Sequence, residues 1–197
     1  VDIAGPKVRT GAIVRPDGRP RVAPGDRGLL TGSTDVEGCD IPFLVAVEPA
    51  ALVARLAAGQ RVEIDDGKAS GRIEGPDAGG AVLRFERTLP AGYKLKPHRG
   101  LNFPDTDLGL DPLTGKDRAD LDTVVPLADM LGYSFVQSAD DVGRLLDEVR
   151  RRLPRGGALP TIVAKIETAR AVEALPEIIV AAAGTAPFAV MIARGDL

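Results

Sequence analysis

The sequence is short of the side chains on which several classes of protein depend. It has no Trp, and aromatic residues make up 4% of its 197 residues, so a surface on which nucleic-acid bases stack is not expected. Its 25 basic and 28 acidic side chains nearly cancel, for a net charge of -3. Attraction to nucleic acid or to an anionic membrane through bulk positive charge is therefore not expected either.

Sulfur and long apolar runs are also scarce. Cys39 is the single cysteine, so no internal disulfide can form, and the sequence predicts a reducing, cytoplasmic compartment. Apolar runs such as Pro42–Val47 and Ile178–Ala183 are far shorter than the roughly 20 residues that a membrane-spanning helix requires. The composition is that of a globular protein with a buried core, and 44% of its residues are hydrophobic.

The two halves of the chain have different sequence patterns. As far as Arg99, short β-like runs alternate with Gly and Pro, which is typical of a small antiparallel barrel or sandwich. The pair Asp66-Gly67 indicates a turn. One helix is predicted within this half, over Pro49–Ala58, because Pro lies near its start and Gly59 follows its end.

The second half alternates strands with helices. Strands are predicted over Tyr133–Val136, Thr161–Ile166 and Phe188–Ile192, the last as a buried strand. Between the first two, Ser138-Ala139-Asp140-Asp141 resembles a capping box and is followed by apolar residues with helical spacing. Repeated strand–helix units with apolar strands predict a parallel sheet or barrel of the α/β class.

Charged residues follow two of these apolar strands. Lys165 and Glu167 have the same parity and should point to one face, and Asp196 follows the next strand. A Lys beside carboxylates at the ends of parallel strands could hold Mg²⁺ together with a phosphoryl group. Spacing alone favours a buried salt bridge of Lys165 with Glu167 or Asp196 equally well.

The runs Ala164–Glu167 and Met191–Leu197 resemble the active-site signature of the pyruvate kinase family. Further resemblance to the family appears, in the family's order, in Asp2–Gly11, Ile64–Gly67, Arg99–Pro104 and Ser134–Val142. The resemblance implies a partial (β/α)8 TIM barrel with an inserted all-β lid domain. A barrel strand would occupy residues 1–9, the lid residues 10–98, and a truncated barrel segment residues 99–197.

The family's reaction is the glycolytic transfer of a phosphoryl group from phosphoenolpyruvate to ADP, which gives pyruvate and ATP. By resemblance, Lys165 would stabilise the phosphoryl group during transfer and the enolate oxygen. Glu167 and Asp196 would bind Mg²⁺ or Mn²⁺. The substrate carboxylate would be bound by the backbone N–H groups of Ala193, Arg194 and Gly195.

The nucleotide and the monovalent cation are assigned by the same resemblance. Arg9 and Arg99 would face the nucleotide phosphates, with Asp66 on the edge of the lid. The monovalent-cation site of the family corresponds to Asp2, Ile3 and Lys7, where Lys7 replaces an acid that accompanies K⁺ dependence. A tethered ammonium can supply the charge of a bound cation, so K⁺ is not expected to be required.

Two alternatives remain open to sequence reasoning. One is another barrel lyase that handles an enolate with Mg²⁺, although such enzymes lack an insertion like residues 10–98. The other is a pyruvate kinase-like protein that binds a nucleotide or metabolite without catalysis, although Lys165, Glu167, Arg194 and Asp196 are all retained.

The chain is expected to be a segment of a larger protein, because several strands of the family's barrel and its C-terminal domain have no counterpart in it. Alone, the segment is expected to be inactive, since an incomplete barrel leaves open strand edges. The parent protein is expected to be a homo-oligomer, a tetramer in the family's pattern, with no nucleic-acid or membrane partner.

Overall fold

A computed structural model describes residues 1–35, 39–77 and 79–194. In chain order, its strands are β1 (Asp2–Ile3), β2 (Arg9–Val14), β3 (Arg27–Thr31), β4 (Phe43–Glu48), β5 (Arg61–Ile64), β6 (Ala69–Asp77), β7 (Gly80–Thr88), β8 (Leu101–Asn102), β9 (Met130–Tyr133), β10 (Thr161–Ile166) and β11 (Phe188–Ile192). Its α-helices are α1 (Gly115–Val124), α2 (Ala139–Arg152), α3 (Ala169–Glu173) and α4 (Leu175–Ala183). None of the described helices has the length and apolar character needed to cross a membrane.

The chain divides into two compact units. The first unit consists of Val1–Pro6 and Gly109–Leu197, and the second of Lys7–Leu108. The first contains parallel strands and the four α-helices, and the regular structure described in the second consists of strands β2 to β8 and a short 3-10 helix. The predicted α/β class is confirmed.

The first unit is organised around a parallel sheet with the strand order β1-β9-β10-β11. The central strand β10 has the predicted bounds, and its Ile162 and Ala164 are fully buried. They belong to one apolar cluster with Val142, Leu145 and Val149 of α2, the helical stripe that the spacing predicts. The alternation along β10 leaves its other residues, Lys165 among them, on the opposite face.

Helix α2 begins at the predicted capping box. Ser138 N donates to Asp141 Oδ2 over 2.9 Å, and Asp141 N donates to Ser138 Oγ over 3.3 Å. Helix α1, which the sequence interpretation missed, begins in the same way at Thr114 and Asp117. Because Thr114 and Asp117 have capping-box spacing, that signal could have identified α1.

Two strand predictions in this unit were wrong in part. Strand β9 ends at Tyr133 rather than Val136, since Phe135 adopts a left-handed backbone with a φ of 58° that cannot continue a strand. Strand β11 has the predicted bounds but is not buried: Met191 and Ile192 are 48% and 49% exposed. Their exposure follows from the position of β11 at an edge of the described sheet.

The second unit is a mixed sheet with the strand order β2-β4-β3-β7-β6-β5-β8. Strands β3 and β4 pair in parallel, and the other neighbours are antiparallel. The two ends of this order meet where Leu101 N donates to Val8 O over 2.9 Å and Arg9 bridges Gly100. The sheet is therefore nearly closed.

The helix predicted over Pro49–Ala58 is a shorter 3-10 helix, Ala50–Arg55, without a side-chain cap at its start.

Two glycines give opposite predictions for stability. A Cβ on Gly71 would lie 2.0 Å from Arg84 O in the adjacent strand, whereas a Cβ on Gly143 in α2 would meet nothing within 4 Å. Gly71→Ala should lower the free energy of unfolding by about 2–3 kcal/mol, because the backbone must shift. Gly143→Ala should raise it by about 0.5–1 kcal/mol, because a flexible residue leaves a helix interior.

Urea unfolding of both variants beside the wild type measures the two effects. Equal stability of Gly71→Ala and the wild type would contradict the close approach of β6 to β7.

Candidate functional site

The ammonium of Lys165 lies among three polar groups in the first unit. Its Nζ is 3.0 Å from Glu167 Oε1 and 3.1 Å from Asp2 Oδ2, and it donates to Ser134 Oγ over 3.0 Å. Asp2 belongs to β1, Ser134 follows β9, and Glu167 follows β10, which are three neighbouring parallel strands. The structure thus brings the predicted Lys165 and Glu167 together at the carboxyl end of the sheet. Ser134 was given no role by the sequence interpretation.

Glu167 has a buried carboxylate that contacts Lys165 through one oxygen and a backbone N–H through the other. Its side chain is 5% exposed, and its Oε2 accepts a hydrogen bond from Phe135 N over 2.8 Å. Phe135 has a left-handed backbone, and Gly5 packs against it: a Cβ on Gly5 would be 3.0 Å from Phe135 Cδ2. Strained backbone of this kind persists where the surroundings hold it, often at functional sites.

The charge of Lys165 is maintained by its partners. Burial of the amine acts to lower the pKa of Lys165, but the hydrogen bonds that the ammonium donates to Glu167 and Asp2 outweigh burial, so the net pKa lies above the ordinary value of 10.5. The side chains of Lys165 and Glu167 are 16% and 5% exposed, so solvent screens their interaction only weakly. The site therefore presents a fixed positive charge at neutral pH.

The backbone groups predicted to bind the substrate carboxylate are described in part. Ala193 is buried, and its N donates to Ile166 O over 3.0 Å. Arg194 is exposed, and its N donates to Ile192 O over 3.1 Å. Both amides are therefore engaged within the chain. Gly195 lies outside the described residues.

Of the two residues predicted to bind a metal, Glu167 is described, and Asp196 lies outside the described residues. Among the described residues, Lys165 contacts Glu167 Oε1 and Phe135 N donates to Oε2, and each carboxylate oxygen has a second lone pair that can accept another partner. No group of three or more His, Cys, Asp or Glu side chains suited to a metal occurs among residues 1–35, 39–77 and 79–194. Mg²⁺ commonly takes only one or two protein carboxylates, so the chemistry of Glu167 suits it.

The residues predicted for the monovalent cation lie in different units. Ile3 is buried in the apolar cluster of the first unit, and its side chain offers no oxygen. Lys7 is exposed and belongs to the second unit. Asp2, which was also predicted for this cation, has its carboxylate bonded to Lys165.

The two predicted nucleotide arginines are brought together in the second unit. Thr10 N donates to Arg99 O over 2.8 Å, and Arg99 N donates to Thr10 Oγ1 over 2.9 Å. The Arg9 guanidinium donates to His98 O over 3.1 Å. Arg9 and Arg99 thus project from adjacent segments and together carry two positive charges.

Asp65, the residue before the predicted Asp66, contacts Arg99. Asp66 is exposed, whereas the side chain of Asp65 is 13% exposed, with Oδ1 3.7 Å from Arg99 Nη1. Its Oδ2 accepts from Tyr93 Oη over 2.9 Å and from Lys68 Nζ over 3.1 Å. Burial acts to raise the pKa of Asp65, but the bonds from Lys68 and Tyr93 outweigh burial and lower it. Two consecutive aspartates in a turn give no sequence signal for choosing between them.

The pKa of Lys165 should depend on its two carboxylate partners, Glu167 and Asp2. Glu167→Gln should lower that pKa, because the variant loses a carboxylate that stabilises the ammonium against the effect of burial. Asp2→Asn should lower it less, since Asp2 is 59% exposed and solvent weakens its interaction with the ammonium. In the wild type the raised pKa makes the ammonium's contribution to stability fully present below pH 10.5, and that contribution is lost as the pH rises through the folded-state pKa.

Titration of the lysine ¹³Cε resonances by NMR measures this pKa in each protein. A value for Lys165 that does not respond to Glu167→Gln would contradict the described contact.

Comparison with known proteins supports one family for the whole chain. A family model described as "Pyruvate kinase, barrel domain" matches residues 1–197. The pyruvate kinase of Methylorubrum extorquens is 33% identical over 199 residues, covering 100% of this chain and 37% of that protein. The pyruvate kinase of Agaricus bisporus is 35% identical over 200 residues, with coverage of 100% and 35%. That of Thermotoga maritima is 30% identical over 200 residues, with coverage of 100% and 39%.

The chain thus spans little more than a third of the length of these curated relatives. All of it is matched both by the family model and by each relative. The chain belongs to the pyruvate kinase family.

Proposed function

We propose that this chain is part of a phosphotransferase that moves the phosphoryl group of phosphoenolpyruvate to ADP and gives pyruvate and ATP in glycolysis. The observation that carries the proposal is the Lys165 ammonium, which is held within 3.1 Å of Glu167, Asp2 and Ser134 at the ends of three parallel strands. In α/β barrels, the substrate binds to polar groups at the carboxyl ends of such strands. Membership of the pyruvate kinase family over the whole chain supports this choice of reaction.

The proposal includes the finer architecture. Residues 1–9 and 99–197 would form part of a (β/α)8 barrel, and residues 10–98 would form an all-β lid. The alternation of parallel strands with helices in the first unit supports the barrel assignment. The nearly closed mixed sheet of the second unit supports the lid assignment.

The chain's own residues would act mainly through charge. The Lys165 ammonium would offset negative charge on the phosphoryl group in transfer and on the enolate oxygen. Its partners fix the ammonium before substrate arrives, so little reorganisation is needed during the reaction. Glu167 with Asp196 would hold Mg²⁺ or Mn²⁺, which supplies further positive charge when bound.

The nucleotide would bind through the second unit. Arg9 and Arg99 carry guanidinium groups, which suit phosphate oxygens because they are planar and always charged. Asp66 would lie on the lid edge, where its exposure leaves it accessible. Binding of the substrate carboxylate by the N–H groups of Ala193, Arg194 and Gly195 would require the first two to give up their present acceptors, Ile166 O and Ile192 O.

An activity assay of the complete protein tests the proposal. Pyruvate formation from phosphoenolpyruvate and ADP with Mg²⁺ should occur in the wild type, and Lys165→Ala should lower kcat by about 10²–10³-fold, because a preorganised charge is lost. Lys116→Ala is the matched control, since its exposed ammonium contacts Asp120 on the surface of α1. It should leave kcat unchanged.

A folded wild type that binds ADP but forms no pyruvate would favour the non-catalytic alternative instead.

The same assay without K⁺ tests whether Lys7 makes the enzyme independent of K⁺. Undiminished activity in a Na⁺- and K⁺-free buffer supports a tethered ammonium in place of the monovalent cation, and a strict K⁺ requirement contradicts it.

A further inference from the structure

Tyr93, Asp65 and Arg99 form a connected series in the second unit. Tyr93 is 5% exposed, and its backbone exchanges two hydrogen bonds of 2.9 Å with Val22. Its hydroxyl donates to Asp65 Oδ2 over 2.9 Å. A tyrosine anchored in this way presents its hydroxyl at a fixed point, because only its ring torsions remain free and burial restricts them.

The backbone of Asp65 is fixed independently of its side chain. Asp65 N donates to Gly100 O over 3.0 Å, directly beside Arg99 in the sequence. Its φ of 52° is left-handed, a conformation that Asp tolerates better than most residues. The carboxylate is thus held from two sides, by its own backbone and by Tyr93.

Asp65 attracts Arg99 through charge and does not accept a hydrogen bond from the Arg99 guanidinium. The separation of Asp65 Oδ1 and Arg99 Nη1 is 3.7 Å, an ion pair that is too long for a hydrogen bond. The terminal N–H groups of Arg99 therefore remain able to donate to a phosphate. Arg99 Nε is buried and has no hydrogen-bond partner in the part of the chain that the structure describes. Burying an unpaired donor is unfavourable, and the attraction of Asp65 for the guanidinium acts against that cost.

We propose that Asp65, oriented by the Tyr93 hydroxyl, is a positioning residue that holds the Arg99 guanidinium ready for the phosphates of a nucleoside diphosphate. This inference rests on the proposed function. Its physical basis is preorganisation: a free arginine side chain loses much rotamer freedom when it binds a ligand, and a side chain that is already ordered loses less. Lys68, on the far oxygen of Asp65, helps to keep the carboxylate ionised.

Two conservative variants of the complete protein test the proposal. Asp65→Asn removes the charge and Tyr93→Phe removes only the hydroxyl. The Kd for ADP by calorimetry and the KM for ADP should rise by about 3- to 10-fold in Asp65→Asn, the range that ordering one long side chain is worth, and by about 3-fold in Tyr93→Phe. The kcat and the KM for phosphoenolpyruvate should stay unchanged, because Arg99 is assigned to the nucleotide alone.

Asp105→Asn is the matched control. Asp105 accepts hydrogen bonds from Arg61 at the opposite end of β5, so this variant also loses an aspartate–arginine contact in the same unit. It should leave the affinity for ADP unchanged. An equal weakening of ADP binding in Asp105→Asn would overturn the proposal, because general loosening of the unit would then explain the effect.

The remaining outcomes separate this inference from the function on which it rests. If the wild type forms pyruvate and both Asp65→Asn and Tyr93→Phe bind ADP normally, the positioning role is wrong and the proposed function stands. If the wild type neither forms pyruvate nor binds ADP, both are wrong. Tyr93→Phe keeps the buried ring, so it decides the matter even if Asp65→Asn does not fold.

Discussion

The ion pair of Lys165 with Glu167 is the interaction on which the candidate site depends. A carboxylate that is 5% exposed would lose several kcal/mol of hydration, and its partners must compensate for that loss. Lys165 and Phe135 N provide the compensation. The same contact orients the lysine, which Asp2 and Ser134 then hold from the other side. The contact of Lys165 with Glu167 therefore affects both the stability of the first unit and the position of the ammonium.

The second unit also places a carboxylate, that of Asp65, beside cationic side chains. Asp65 is also largely buried and also accepts from a lysine, here Lys68. Its second oxygen, however, faces Arg99 from 3.7 Å and leaves the guanidinium donors available. In each unit a carboxylate just beyond the end of a strand fixes the position of a cation. In the first unit the ammonium lies 3.0 Å from its carboxylate, and in the second the guanidinium lies 3.7 Å away, too far for a hydrogen bond.

Local signals in the sequence were sufficient for part of this arrangement. The spacing of apolar residues and the Ser138–Asp141 cap define α2, and parity puts Lys165 and Glu167 on one face. Contacts between distant residues were not accessible in the same way, since Asp2 and Lys165 are 163 positions apart. The left-handed turn at Phe135 depends on tertiary packing against Gly5. The contacts of Asp65 depend on the position of Tyr93, which no local pattern provides.

A double-mutant cycle on Lys165 and Glu167 measures their coupling most directly. In the complete protein, Lys165→Met should cost about 3–5 kcal/mol of unfolding free energy, because Glu167 is left charged and buried. Adding Glu167→Gln should recover part of that loss, so the double variant is more stable than Lys165→Met alone, with a coupling of at least about 1 kcal/mol. Additive effects of the two substitutions would contradict the account, since they would mean that Lys165 and Glu167 do not stabilise each other.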